Sequence, residues 1–302
     1  MIVLERIAAV RARCDEAVRA GKSVGLVPTM GYLHEGHRTL MRAARAENDL
    51  VVVTLFVNPT QFGPNEDLAS YPRDPEGDAR VVTEEGVDVL FAPSVAEMYP
   101  RPGLTHVTVD EVTDGLCGAS RPHHFVGVAT VVTKLFSIVG PCTAYFGKKD
   151  FQQLVVVRRL VEDLNLPITV VGVSTVREPD GLALSSRNAY LAPDDRPAAT
   201  VLYRALECAI ATVKEGERDP VAVRAAAVTL VEREPLAQFD YLEVRRADDL
   251  AEVEHLDDGV EHVIALAVFL NTTRLIDNAT FTVDGAAVHY DLPGRSPVAQ
   301  EH

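Results

Sequence analysis

The chain predicts an α/β protein: a doubly wound parallel sheet followed by a smaller α+β region. From residue 23 to residue 173, short β-branched runs alternate with helical stretches. Those runs are almost continuously apolar, the pattern of strands covered by helices on both faces. Past residue 176 the order changes to two helical stretches and then three strand-like runs.

A helix is expected over Val3 to Ala20, where Leu4, Ile7, Ala8, Val10, Ala17 and Val18 recur at near-helical spacing and Gly21 ends the run. Ser23 to Pro28 and Leu50 to Val57 read as strands around a helix at 36–46, a βαβ unit that implies parallel pairing. The alternation continues with a helix near 76–85, a strand at Val87 to Phe91 and a helix near 125–139. A strand at Thr143 to Phe146, a helix near 150–163 and a strand at Ile168 to Val173 complete it. Such a Rossmann-like sheet binds its ligands at the carboxyl ends of its strands. Arg177-Glu-Pro-Asp-Gly181 is a turn cluster, followed by helices near 194–214 and 220–233 and strands near 239–245, 260–269 and 273–283. The division is 1–176, 177–284 and a flexible tail, 285–302, rich in Gly, Pro, Ser and Ala.

At 302 residues the chain has about two domain-lengths of ~150 each. With 47% hydrophobic and 24% charged residues it is ordinary globular material, which excludes a collagenous or mainly disordered chain. Its formal charge of −15 is the wrong sign for holding a polyanion, so no nucleic-acid partner is expected. Residues 201–302 carry 9 basic and 19 acidic side chains, a net of −10, which again marks two unlike halves. The acidic stretch Asp248 to Glu261 reads as solvated surface. Cysteines at 14, 117, 142 and 208 form no C-x-x-C pair and are too sparse for a disulfide framework, so reduced thiols and a cytoplasmic location are expected. No apolar run approaches the ~18 residues of a spanning helix, and the charged opening Met1 to Gly21 leaves no place for a signal peptide.

Several motifs fail on inspection. No two glycines are separated by one residue, so the G-x-G-x-x-G dinucleotide fingerprint is absent. Gly21-Lys22-Ser23 ends like a phosphate-binding P-loop, but Glu16 stands where its first glycine is required. Gly21 to Gly25 also spells G-x-S-x-G, yet the strand follows the serine instead of preceding it.

Four segments survive. Pro28-Thr-Met-Gly-Tyr-Leu-His-Glu-Gly-His37 joins the first strand to its helix, where backbone N–H groups and the helix dipole favour an anion and where His34 and His37 add donors. Gly31 and Gly36 allow close backbone approach. Two other readings are open: a zinc site, although H-E-G-H lacks the i,i+4 spacing of H-E-x-x-H, and histidines that merely cap and pack. In Tyr145-Phe-Gly-Lys-Lys-Asp-Phe-Gln-Gln153, Lys148 and Lys149 suit phosphate, while Asp150 can cap a helix or meet Mg²⁺ or a ribose hydroxyl. Leu184-Ser-Ser-Arg-Asn188 aligns donors suited to phosphate oxygens. Phe56-Val-Asn-Pro-Thr-Gln-Phe62 offers Asn58 and Gln61 to a hydroxylated substrate. A plain loop or solvated helix start remains the alternative for each of the last three.

In this order, and with Arg121-Pro-His-His-Phe-Val-Gly127 between them, these segments resemble the pantothenate synthetase family of the nucleotidyltransferase superfamily over about residues 1–283. The resemblance implies an ATP-dependent ligase that condenses (R)-pantoate with β-alanine through pantoyl adenylate, with Mg²⁺, as a cytoplasmic homodimer joined through the first domain. It makes 1–176 an ATP- and pantoate-binding catalytic domain and 177–284 a lid. Carried over by motif position, Met30, Gly31, Tyr32, Leu33, His34, Glu35, Gly36 and His37 line ATP, and His37 is the proton donor. Gly147, Lys148, Lys149, Asp150, Val176, Leu184, Ser185, Ser186 and Arg187 complete the nucleotide site. His34, Lys149, Ser185, Ser186 and Arg187 join His37 in stabilising charge on the phosphoryl oxygens.

Gln61 and Gln153 correspond to pantoate-holding positions, with Gln61 also near β-alanine and Asn58 beside it. Asp78 falls in the magnesium environment, against the alternative of a helix-start acid. Arg121 and His124 lie near the site without an assigned contact. Lys148 departs from the acidic residue of many relatives. The rival readings are an adenylyltransferase of the same superfamily acting on a different acid, and a nucleotide-binding regulator.

Overall fold

The computed structural model describes residues 1–64 and 66–294. The chain forms two compact units: Met1–Thr113, Arg121–Lys148 and Val156–Val173 make the first, and Asp114–Ser120, Lys149–Val155 and the chain from Ser174 onward make the second. In chain order the elements begin β1 (Ile2–Leu4), α1 (Ile7–Arg19), β2 (Val24–Thr29), α2 (Glu35–Glu47), β3 (Leu50–Leu55), α3 (Pro75–Glu84), β4 (Val89–Phe91) and α4 (Val95–Met98). They continue with α5 (Cys117–Ser120), α6 (His124–Val139), β5 (Cys142–Gly147), α7 (Phe151–Asp163) and β6 (Ile168–Val173). The remainder is α8 (Val201–Lys214), α9 (Pro220–Glu232), β7 (Ala237–Arg246), β8 (Glu261–Leu270), β9 (Thr273–Asp284) and β10 (Ala287–Asp291).

The first unit holds a six-stranded parallel sheet in the order β1-β4-β3-β2-β5-β6. The strand order reverses between β2 and β5, the switch point at which a doubly wound sheet opens a crevice. Val27, Val51, Val53 and Leu90 pack with Leu40, Met41 and Ala44 of α2 and Val82 of α3. Buried Asn48 ties this layer to β5, its amide donating to the Tyr145 hydroxyl at 2.7 Å, which in turn donates to Glu47 Oε2 at 2.6 Å. Local chemistry sets the helix ends: Asp74 accepts the Gly77 N–H before Pro75 starts α3, and Gly140, at φ +80°, stops α6.

The first expected helix is shorter than its periodicity suggests, because Ile2–Leu4 pairs with β4 as an edge strand and Arg6 is still extended. Likewise α8 starts at Val201 rather than near 194, since Pro197, lacking an N–H, precedes a 3-10 turn at Ala198–Thr200.

In the second unit an antiparallel sheet, β10-β9-β8-β7, packs Ile264, Leu266, Val268, Leu275 and Phe281 with Leu202, Leu206 and Val213 of α8 and Val223 of α9. The expected loose tail is corrected at its start: Ala287–Asp291 forms β10, paired with β9 across the two-residue turn Gly285-Ala286. Residues 295–302 lie outside the described part. Among the described residues the four cysteines are free thiols, and no helix is long and apolar enough to cross a membrane.

Candidate active site

The loop after β2 is built backbone first. The Thr29 hydroxyl donates to the Thr54 carbonyl at 2.6 Å and accepts the Gly31 N–H at 3.3 Å. The chain then turns through φ +91° at Gly31 and +54° at Tyr32. A Cβ at Gly31 would meet Leu55 Cδ1 at 2.6 Å and Asp78 Oδ2 at 2.9 Å, so both the conformation and the space require glycine.

Asp78, in the first turn of α3, closes the loop: Oδ2 accepts the Tyr32 N–H at 3.0 Å and Oδ1 the Leu33 N–H at 2.7 Å. Burial pushes its carboxyl above the usual range, while these two N–H donors pull the other way. Asp78 is 3% exposed and both oxygens hold the loop. Among the described residues no group of three or more His, Cys, Asp or Glu side chains gathers to hold a metal ion. A zinc reading of the histidine pair lacks a third ligand for the same reason.

His34 is the N-cap of α2 and His37 its third residue. The His34 N–H donates to His37 Nδ1 at 3.3 Å, so a neutral His37 ring carries its proton on Nε2. The two rings stack at 4.1 Å with a tilt of 43°. A Cβ at Gly36 would lie 3.0 Å from His34 Nδ1, so that glycine makes room for the ring. Two imidazoles thus stand at the N-terminus of a 13-residue helix, a setting that favours an anion. Glu35 forms an exposed ion pair with Arg42. Tyr32 is exposed, and Leu33 packs against the core. A cavity of about 330 Å³ at the carboxyl ends of β2, β3 and β4 is lined by Met30, Phe56, Asp74, Asp78 and Ser94, among others.

Asn58 and Gln61 are brought together in a 3-10 turn at Pro59–Gln61. Asn58 is 1% exposed and its amide is fully engaged: Nδ2 donates to Gln61 Oε1 (3.1 Å) and the Gly127 carbonyl (3.2 Å), while Oδ1 accepts from Thr60 (3.0 Å) and Tyr99 (2.8 Å). Asn58 thereby also supports Gln61. The Gln61 amide nitrogen lies 3.2 Å from Met30 Sδ. The Gln61 backbone carbonyl accepts from Arg121 at 3.3 Å and approaches His124 Nδ1 at 3.0 Å, which gives both residues of the 121–127 segment a contact. Arg121 is itself paired with Glu66; burial alone would raise that carboxyl, but the guanidinium holds it below its usual range. No sequence pattern points to Glu66 or Tyr99.

Gly147 and Lys148 end the β5 side of the first unit, and both are half-buried. In the second unit Lys149 and Gln153 are half-buried and Asp150 is exposed. Gln152 proves structural, accepting the Cys117 N–H and donating to the Gly115 carbonyl, each at 2.9 Å. The turn cluster 177–181 is a tight hairpin that joins two expected nucleotide residues: the Leu184 N–H donates to the Val176 carbonyl at 2.9 Å. Gly181 makes it possible, at φ +99° and with a Cβ position 2.4 Å from the Tyr203 ring. Ser185 then caps a 3-10 turn, its Oγ accepting the Arg187 N–H at 3.3 Å, with Ser186 buried and Arg187 half-buried.

The chain matches the pantoate-beta-alanine ligase family over residues 2–280. It is 52% identical over 284 residues to pantothenate synthetase from Moorella thermoacetica, covering 94% of this chain and 100% of that one. The corresponding enzyme from Heliobacterium modesticaldum is 54% identical over 283 residues, with 94% and 100% covered. Among solved structures, pantothenate synthetase from Thermus thermophilus matches with a TM-score of 0.86 at 47% identity, covering 92% of this chain and 98% of that one. A Francisella tularensis pantoate-beta-alanine ligase, complexed with beta-gamma ATP and beta-alanine, matches with a TM-score of 0.75 at 33% identity, covering 92% and 97%. Matched in sequence and in fold over nearly its whole length, the chain belongs to the pantoate–β-alanine ligase family.

Proposed function

We propose that the chain condenses (R)-pantoate with β-alanine, forming pantothenate, AMP and pyrophosphate from ATP. A pantoate carboxylate oxygen attacks the α-phosphorus and pyrophosphate leaves; the β-alanine amine then attacks the acyl carbon of pantoyl adenylate and AMP leaves. Charge grows on phosphoryl oxygens in the first step, so placed donors are the main catalytic resource. The Nε2–H of His37 and the ring of His34 supply them at the α2 N-terminus, with Lys149, Ser185, Ser186 and Arg187 as further donors. Residues 30–37, Gly147, Lys148, Asp150, Val176 and Leu184 line the nucleotide. Gln61 and Gln153 hold pantoate, with Asn58 beside them, and Gln61 also meets β-alanine.

The single observation that carries this reading is the His34–His37 pair, whose hydrogen bond through Nδ1 leaves Nε2–H as the donor at a helix N-terminus. In this reading Mg²⁺ accompanies ATP, with Asp78 in its environment, since Mg²⁺ needs only one or two carboxylates beside the phosphates. The same reading makes the enzyme a cytoplasmic homodimer.

The test is AMP formation from ATP and Mg²⁺ with pantoate and β-alanine together and with each omitted. Turnover that needs both acids supports the ligase. AMP formed with another acid but not with pantoate favours the related adenylyltransferase, and ATP binding without AMP overturns both.

A further inference from the structure

We propose that Asn278 is a positioning residue for Lys149, held in place by a buried ion pair that also anchors the Val176–Leu184 hairpin. The inference rests on the reading that Lys149 meets a phosphate of ATP. Asn278 is 6% exposed, and its Nδ2 donates to the Lys149 carbonyl at 2.7 Å from a strand 129 residues away. That bond fixes the backbone from which the Lys149 ammonium is aimed, without engaging the ammonium itself.

Next to it, Asp277 accepts both arms of Arg177, at 2.6 and 2.9 Å, with both side chains essentially unexposed. Asp277 Oδ1 also accepts the Asn278 N–H at 2.8 Å, while Arg177 donates to the Gly181 carbonyl at 3.1 Å and lies 4.8 Å over the Tyr203 ring. A buried pair of this kind adds little net stability over packed apolar residues, but a forked, two-point bond fixes angle as well as distance. Two neighbouring residues of β9 thus grip two segments that converge in function: 149 through Asn278, and the hairpin carrying Val176 and Leu184 through Asp277 and Arg177.

The experiment is a double-mutant cycle on ATP affinity, read by calorimetry on the whole chain, with thermal unfolding recorded alongside. Asn278→Ala is expected to weaken ATP binding about tenfold, roughly the effect of one lost positioning bond. In a Lys149→Ala background the same change should alter affinity by less than about twofold, because the group being aimed is gone. Equal losses in both backgrounds, or an unchanged affinity in Asn278→Ala, overturn the proposal, as does a Lys149→Ala variant that binds ATP normally. If Asn278→Ala fails to fold, Asn278→Asp, which keeps the size and removes the donor, carries the same cycle. Absence of pantoate-dependent AMP formation by the unaltered chain sinks the ligase reading alone, since the ATP cycle does not use pantoate.

Discussion

Gly127 of α6 lies against the backbone of Gln61 so closely that a Cβ would stand 2.6 Å from the Gln61 N and Cα and 2.4 Å from the Thr60 carbonyl oxygen. The helix therefore serves as the floor on which Gln61 is set. An alanine inside a helix ordinarily gains about 1 kcal/mol over glycine. Here the clash is with backbone and the sign reverses: Gly127→Ala is expected to lose about 1–3 kcal/mol by overpacking and to raise KM for pantoate. Urea unfolding and a pantoate titration check it; a variant as stable as the parent would mean that α6 can slide.

Asp78 is expected to act through the loop it holds. Asp78→Ala should slow adenylation about tenfold or more by displacing Gly31 to Leu33, with a loss of about 1–3 kcal/mol from two unpaired N–H donors. The Mg²⁺ concentration needed for half-maximal pantoate-dependent pyrophosphate exchange should stay where it is. A large upward shift would assign Asp78 to the metal.

His37→Ala should lower adenylation by about 10²-fold or more, the usual result of removing one transition-state donor. Exchange of labelled pyrophosphate into ATP in the presence of pantoate measures this step alone. Exchange at the parental rate would remove His37 from the role.

His262 gives the second unit an acid sensitivity. It is 1% exposed, stacks on Phe281 at 5.4 Å, and burial holds its imidazole below the ordinary 6.5. The unfolded chain therefore takes up a proton that the folded chain resists, so stability falls as pH drops below about 6.5 and stays flat above it. His262→Phe should remove part of that slope in urea midpoints taken between pH 7.5 and 5.5. An unchanged slope would assign the acid loss to other groups.

The parallel sheet was legible because its strands are continuous apolar runs, and the first loop was legible because its glycines and histidines lie within eight residues of one another. β1 was not, since Ile2, Val3 and Leu4 suit a helical period as well as a strand, and only pairing with β4 decides. β10 could have been found: Gly285-Ala286 puts glycine first in a two-residue turn, and Val288 and Tyr290 alternate after it. Within the site, residue types were readable but their partners were not. That Gly127 and Tyr99 bond the Asn58 amide, and that Asp78 accepts the Tyr32 and Leu33 N–H groups, shows only in the structure. Those partners stand 41 to 69 residues away, beyond any local pattern.

The pleat of β9 restricts how the chain can change in length. Successive side chains of a strand point to opposite faces, so one residue inserted between Thr273 and Asp277 would turn Asp277 away from Arg177 and Asn278 away from Lys149 at a stroke. The turn at Gly285-Ala286 lies beyond that register, so a change of length there leaves the faces of Asp277 and Asn278 where they are. Insertions and deletions among relatives should therefore collect at 285–286 and be purged from the first half of β9.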